Sequence, residues 1–220
     1  MRELPLFPLN TVLFPGMPLH LHIFEPRYRL MVRTCMQQDI PFGVVLIRQG
    51  KEALGPLANP HLVGCTARIM QMDPLPDGRM NLLTVGEERF HVMELNFDSQ
   101  PYLTGQVETH PLENPRGLEV MRGTRTLARL AVNYLRLLSK IDEESSQAGE
   151  VKLPEDPLPL LNLAAGVLQL PEVEKQPLLE SLTASQMLAQ LLRLYKRETA
   201  VLSRMTLVNE EQARRASWMN

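Results

Sequence analysis

Leu19-His-Leu-His-Ile-Phe-Glu-Pro-Arg-Tyr-Arg-Leu-Met-Val32 is the stretch on which the fold turns. Leu19, Leu21 and Ile23 alternate with His20, His22 and Phe24, which is the two-residue period of a strand. The period changes at Glu25-Pro26. Proline fits the first turn of a helix, where its missing N–H costs nothing. Beyond it Tyr28, Met31, Val32 and Cys35 recur at helical spacing. Upstream, an apolar opening (Leu4, Leu6, Phe7) meets an expected turn over Pro8-Leu9-Asn10-Thr11, and a second apolar run, Val12-Leu13-Phe14, stops at Pro15-Gly16. The order read is strand, loop, strand, helix, with Phe24 to Tyr28 as the corner.

Past the corner the texture stays β to about residue 113. Phe42 to Arg48 is a β-branched run bounded by Pro41 and Gly50, His61 to Met72 alternates, and Asp77-Gly78 marks a hairpin turn. Leu82–Val85, Arg89–Leu95 and Tyr102–Val107 read as three further strands, and regular spacing with turn residues between them suggests a small antiparallel barrel. From residue 114 the pattern is helical. Leu127, Leu130, Ala131, Tyr134, Leu135, Leu138 and Ile141 lie on one helix face. Asp142 to Asp156 reads as a linker. Asp156-Pro157 opens another helix, and Pro171 ends that segment. Thr183 and Gln186 form a capping box with Leu182 and Met187 at staple positions, starting a last helix whose buried face carries Leu188, Leu191, Leu192, Tyr195 and Leu202. The expected division is therefore 1–113 β-barrel, 114–208 helical bundle and 209–220 tail.

Three linked motifs in register, Leu4-Pro5-Leu6-Phe7-Pro8, Val12-Leu13-Phe14-Pro15-Gly16 and Ile23 to Tyr28, resemble the N-terminal substrate-binding domain of the Lon protease family. Gly64 to Ala67, Asp77-Gly78-Arg79, Gly86 to Phe90, Pro101-Tyr102 and Lys175-Gln-Pro-Leu-Leu-Glu180 extend the resemblance over nearly the whole chain. One departure is Met187-Leu188, where the family usually shows Arg-Leu; it removes any ion pair of that arginine but not the helix. The resemblance implies an α+β fold: an N-terminal PUA-like antiparallel β-barrel followed by a C-terminal α-helical bundle. It also implies recognition of unfolded or partly folded polypeptides, with a Lon-type protease or a chaperone as candidate partner and weak self-association allowed.

Composition narrows the alternatives. A net charge of −2 with interleaved acids and bases leaves no basic stripe for phosphates, and 5% aromatics leave few stacking platforms, so nucleic acid is not an expected partner. No apolar run is long enough to span a membrane. The opening Met1-Arg-Glu-Leu-Pro5 lacks a signal peptide's apolar core, and Cys35 and Cys65 stand alone in apolar contexts, which together point to the cytoplasm. The methionine start and irregular tail favour a free-standing protein over a fragment.

No phosphate-cradling Gly-x-x-x-x-Gly-Lys-Ser/Thr loop and no Gly-x-Ser-x-Gly elbow occurs, so the ATPase and serine–lysine protease of full Lon proteases are not encoded here. The expectation is a non-catalytic binding module without cofactor or metal, acting as adaptor, holdase or regulator. One constellation points elsewhere: His20-x-His22-x-x-Glu25 places two imidazoles on one strand face near a carboxylate, a near-miss to a cupin-like metal site. RNA binding by a PUA-like barrel is the other alternative, by analogy of fold alone. Leu13, Phe14 and Met17 are the candidate peptide contacts, on a loop that either packs or binds, with Phe24 and Tyr28 behind them. Glu25, Pro26 and Arg27 are read as the structural corner. Twelve methionines add adaptable apolar surface.

Overall fold

The computed structural model describes residues 1–141 and 153–217. In chain order they form β1 (Arg2–Leu9), β2 (Pro18–Ile23), α1 (Pro26–Gln38), β3 (Phe42–Gln49), β4 (Asn59–Pro74), β5 (Met80–Asn96), β6 (Thr104–Thr109), α2 (Leu118–Ile141), α3 (Pro157–Val167), α4 (Glu172–Leu179) and α5 (Ala184–Ser217). The result is an α+β fold whose one described sheet has six strands in the order β2-β5-β4-β3-β1-β6, with β5 also pairing β6.

β1 explains why the N-terminus is so apolar: its two faces serve two cores. Leu4 and Leu6 pack with Val45, Phe90, Val92, Leu103 and Val107, whereas Phe7 and Leu9 pack with Tyr28, Met31, Val32 and Cys35 of α1. A strand covered on both sides loses polar/apolar alternation. Pro8 and Leu9 therefore belong to the strand and not to the turn expected there. α1 begins at Pro26 as read, and ends at Asp39, which adopts a left-handed φ of 51°.

Pairing is not antiparallel throughout. β1 lies parallel to β3, with Leu6 opposite Gly43 and Leu9 opposite Leu46. Parallel neighbours need a long crossover, and β2 with α1 provides it. The two strands expected at Leu82–Val85 and Arg89–Leu95 are one continuous β5. Gly86-Glu87-Glu88 looks like a turn in sequence, but the β4–β5 register shifts between Cys65 and Ala67 there, so the extra residue is absorbed as a bulge. The hairpin at Asp77-Gly78 forms as expected, with Asp77 Oδ1 accepting from the Arg79 N–H at 3.0 Å.

The chain divides into two units: Met1–Glu113 with Ala165–Leu182, and Asn114–Ala164 with Thr183–Asn220. Ala165–Leu182, which lies inside the bundle expected over 114–208, groups with the sheet. Its anchors are specific. Gln176 Nε2 donates to Val63 O at 3.0 Å, Arg89 Nη2 donates to Ser181 O at 2.7 Å, and the Glu113 N–H donates to Leu182 O at 2.9 Å. The segment after α3 contains a separate helix, α4, that starts behind Pro171; α3 already ends at Val167.

In the second unit α2 and α5 approach closely at Gly123, where a Cβ would strike Leu188. Tyr134 and Tyr195 meet edge to face with centroids 5.4 Å apart, and the Tyr195 hydroxyl donates to Ala164 O at 2.8 Å. Thr183 Oγ1 accepts from the Gln186 N–H at 3.2 Å, the cap half of the expected box. Met187 is fully buried, while Leu182 is exposed, so the pair does not form a buried staple. A methionine at this buried position fits where an arginine would need a partner. α5 runs to Ser217, past the tail expected from residue 209. The linker expected at Asp142–Asp156 lies, from 142 to 152, outside the described residues.

Candidate functional site

The loop that attracted attention in the sequence is packed. Leu13 and Phe14 are buried, Phe14 completely, and Val12 is buried beside them. Three partners distant in sequence hold it. The Val12 N–H donates to Glu172 Oε2 at 2.7 Å. Gly86, in the middle of β5, has no Cβ because one would collide with Phe14 O. A Cβ on Gly166 would lie 2.7 Å from Met17 Cγ and 2.8 Å from its sulfur, so glycine lets α3 settle on the half-buried methionine. Leu13 and Phe14 thus offer no surface to a partner, which corrects their assignment as contacts. Leu13 joins the core that α1 shares with β1.

The corner, in contrast, lines a groove. A cleft of about 250 Å³ runs along β2 past Leu21, His22, Phe24 and Glu25, with Tyr28 and Ala53 on its walls. Glu25 does not cap α1 with its side chain. Its carboxylate instead pairs with Arg27 at 2.9 Å, both side chains being largely buried. Arg27 Nη1 also donates to Gly55 O at 3.2 Å, and the guanidinium lies 4.7 Å from the Tyr28 ring centroid. Tyr28 in turn stacks on Phe7 at 4.1 Å. Burial pushes the Tyr28 hydroxyl up to a pKa of about 12, so it stays a neutral donor. These contacts make the corner rigid.

The second wall is the segment between β3 and β4. Glu52 Oε2 accepts from the Asn10 N–H at 2.9 Å, and Arg27 grips Gly55. Between them Leu54 stands 86% exposed with a left-handed φ of 57°, a conformation that disfavours a side chain. Phe24 on the opposite side is 41% exposed. Phe24 and Tyr28, named from sequence, line this cleft together with Glu52 and Ala53, which the sequence does not single out.

The alternative metal reading can be checked atom by atom. His20 and His22 do share the exposed face of β2. However, His22 Nδ1 donates to Asn81 Oδ1 at 2.7 Å, and Glu25 is taken by Arg27. Among the described residues no group of three or more His, Cys, Asp or Glu side chains converges on a point. No described helix is long and apolar enough to cross a membrane.

With this geometry established, comparison with known proteins is informative. Residues 3–197 match the family model described as the ATP-dependent protease La (LON) substrate-binding domain. Lon protease 1 of Hydrogenovibrio crunogenus is 28% identical over 200 residues, covering 91% of this chain but 24% of that protein. Lon protease of Roseiflexus castenholzii is 30% identical over 215 residues, 96% of this chain and 26% of its own. The chain thus spans about a quarter of these relatives' length. A Lon N-terminal domain protein from Xanthomonas campestris superposes with a TM-score of 0.62 at 28% identity, covering 88% of this chain and 98% of its own. The N-terminal domain of Mycobacterium avium complex Lon protease shares the fold, with a TM-score of 0.65 over 89% of this chain and 98% of that domain at 18% identity.

Proposed function

Because the chain belongs to the Lon substrate-binding domain family, we infer that it recognises unfolded or partly folded polypeptides through the groove at its strand–helix corner. The observation that carries this reading is Phe24, a large aromatic held 41% exposed beside a cleft in which Glu25 is ion-paired with Arg27 and Tyr28 is stacked on Phe7. Such a cleft holds one or two side chains. It is smaller than the roughly 300–1,000 Å³ of small-molecule sites, which suits segments of a polypeptide better than a metabolite. An unfolded partner loses conformational entropy on docking, so affinity is micromolar in order. The PUA-like reading of the β unit belongs to the same proposal, supported by the pairings β1–β3–β4–β5–β6, which return to β1. The protein acts without chemistry of its own, as adaptor, holdase or regulator.

Titration of a fluorescent, permanently unfolded protein tests this. Wild type binds with a Kd between ~1 and ~100 µM, and Phe24→Ser weakens binding about tenfold while melting normally. No binding at ~100 µM, or equal binding by Phe24→Ser, overturns the assignment.

A further inference from the structure

The groove runs along a strand whose outer edge is unpaired. β2 is the terminal strand of the sheet order, and among the described strands it pairs with β5 alone. Two backbone hydrogen bonds fix which of its groups face outward. The Gly86 N–H donates to Met17 O at 3.0 Å, and the register continues without a bulge through Leu19↔Thr84, Leu21↔Leu82 and Ile23↔Met80. Bonded pairs alternate in an antiparallel ladder, so Leu19, Leu21 and Ile23 spend their backbone groups on β5. The other side of β5 agrees: the Leu75 N–H donates to Arg79 O at 2.8 Å, and stepping by two makes Asn81 and Leu83 the residues bonded to β4. The N–H and C=O of His20 and His22 therefore point away from β5, at the free edge of the strand.

Edges of this kind are commonly blunted by lysine, an inward charge or a bulge. From Leu19 to Ile23 β2 has no lysine, no inward charge and no bulge, and only Pro18 at its start blunts the edge. Resting on the reading that this groove binds polypeptide, we propose that β2 accepts a substrate segment as an added β-strand: a short extended stretch, free of acidic residues, with apolar residues at alternate positions. The complementarity is that of backbone groups. His20 and His22 supply two donors and two acceptors at strand spacing, and every peptide supplies the matching set whatever its sequence. The alternate apolar side chains enter the cleft beside Phe24 and Tyr28. Glu25 is neutralised by Arg27, whereas Glu52 accepts from the Asn10 N–H and keeps its negative charge, so the lining disfavours an acidic segment. Pro18 lacks a donor and Pro26 begins the helix, which confines the added strand to the few residues between them.

The test uses the whole chain and a fluorescent peptide of about eight residues with alternating Val and Thr, in two further versions N-methylated on one or the other set of alternate amides. Expected is a loss of at least about tenfold for one methylated version and less than about twofold for the other, because only one set of amides can face β2. His20→Pro removes an outward donor where proline is tolerated and should weaken binding similarly, with an unchanged urea melt showing that the fold is intact. If both methylated peptides bind like the parent, strand addition is overturned. If the unfolded protein binds but the peptide does not, strand addition alone fails. If neither binds, the polypeptide-recognition reading fails with it.

Discussion

The Glu172 carboxylate accepts a 2.7 Å hydrogen bond from the backbone N–H of Val12, 160 positions earlier in the chain. The same carboxylate pairs with Lys175 at 3.0 Å. One side chain of α4 thereby fixes both its own helix and the loop between β1 and β2. Removing it leaves a backbone donor in a part-buried site without its acceptor. Glu172→Ala should lower stability by about 1–3 kcal/mol in urea melts, and Glu172→Gln, which keeps an acceptor oxygen, by less. Equal melting of Glu172→Ala and wild type would show that the bond contributes nothing.

Phe14 gives a sharper case. It is fully buried and lies over Gly86, so Phe14→Ala should cost about 3–5 kcal/mol. A variant that changes Leu13, Phe14 and Met17 to serine should fail to fold natively, and circular dichroism with thermal melting would reveal it. A folded triple variant with weakened polypeptide binding would instead return this loop to the candidate contacts.

Alkaline pH should unfold the protein early. Burial pushes the Cys35 thiol up from its ordinary 9.0 to about 11 and the Tyr28 hydroxyl from 10.0 to about 12; it raises Cys65 and Tyr195 as well. All four are acids whose neutral form the fold favours. Their contribution is complete below the unfolded-chain values and is lost as pH climbs through the folded ones. Stability measured by urea at fixed temperature should therefore hold to about pH 8.5 and fall steadily between about pH 9 and 12. A flat profile over that window would contradict the burial of these groups. Ellman's reagent should leave both thiols unmodified at neutral pH until denaturant is added.

Arg89 is 6% exposed and pairs with no carboxylate among the described residues; it donates to His110 O at 3.0 Å and to Ser181 O at 2.7 Å. Arg89→Ala strands both carbonyls. We expect a loss of about 2–4 kcal/mol and faster hydrogen exchange in Ala165–Leu182 than elsewhere in the first unit. Uniform exchange across that unit would mean that the arginine does not anchor the segment.

Local signals carried much of this fold, and where they stopped is instructive. The strand-to-helix change at Pro26 is legible because proline and two periods meet at one residue. The alternation of β2 and the cap at Thr183 are equally local. The burial of Val12-Leu13-Phe14 is not, because Gly86, Gly166 and Glu172 decide it and only the folded chain brings them together. The continuity of β5 was hidden by Gly86, whose composition suits a turn as well as a bulge. α4 escaped notice because it is eight residues long and contains Pro177. At the groove, the Phe24–Tyr28 wall could be read from sequence. The facing wall depends on Arg27 reaching Gly55, a contact between segments with no shared pattern.

The first unit is assembled from two stretches of chain, Met1–Glu113 and Ala165–Leu182. Synthesis runs in one direction, so its sheet leaves the ribosome well before its last helix. During that interval Val63 O, Val12 N–H and the Arg89 guanidinium have none of their later partners Gln176, Glu172 and Ser181. At about 5–20 residues per second the wait lasts several seconds, long compared with the folding of most small domains. The nascent sheet must therefore persist with a buried-to-be cation still in water, and its final closure is set by the pace of translation.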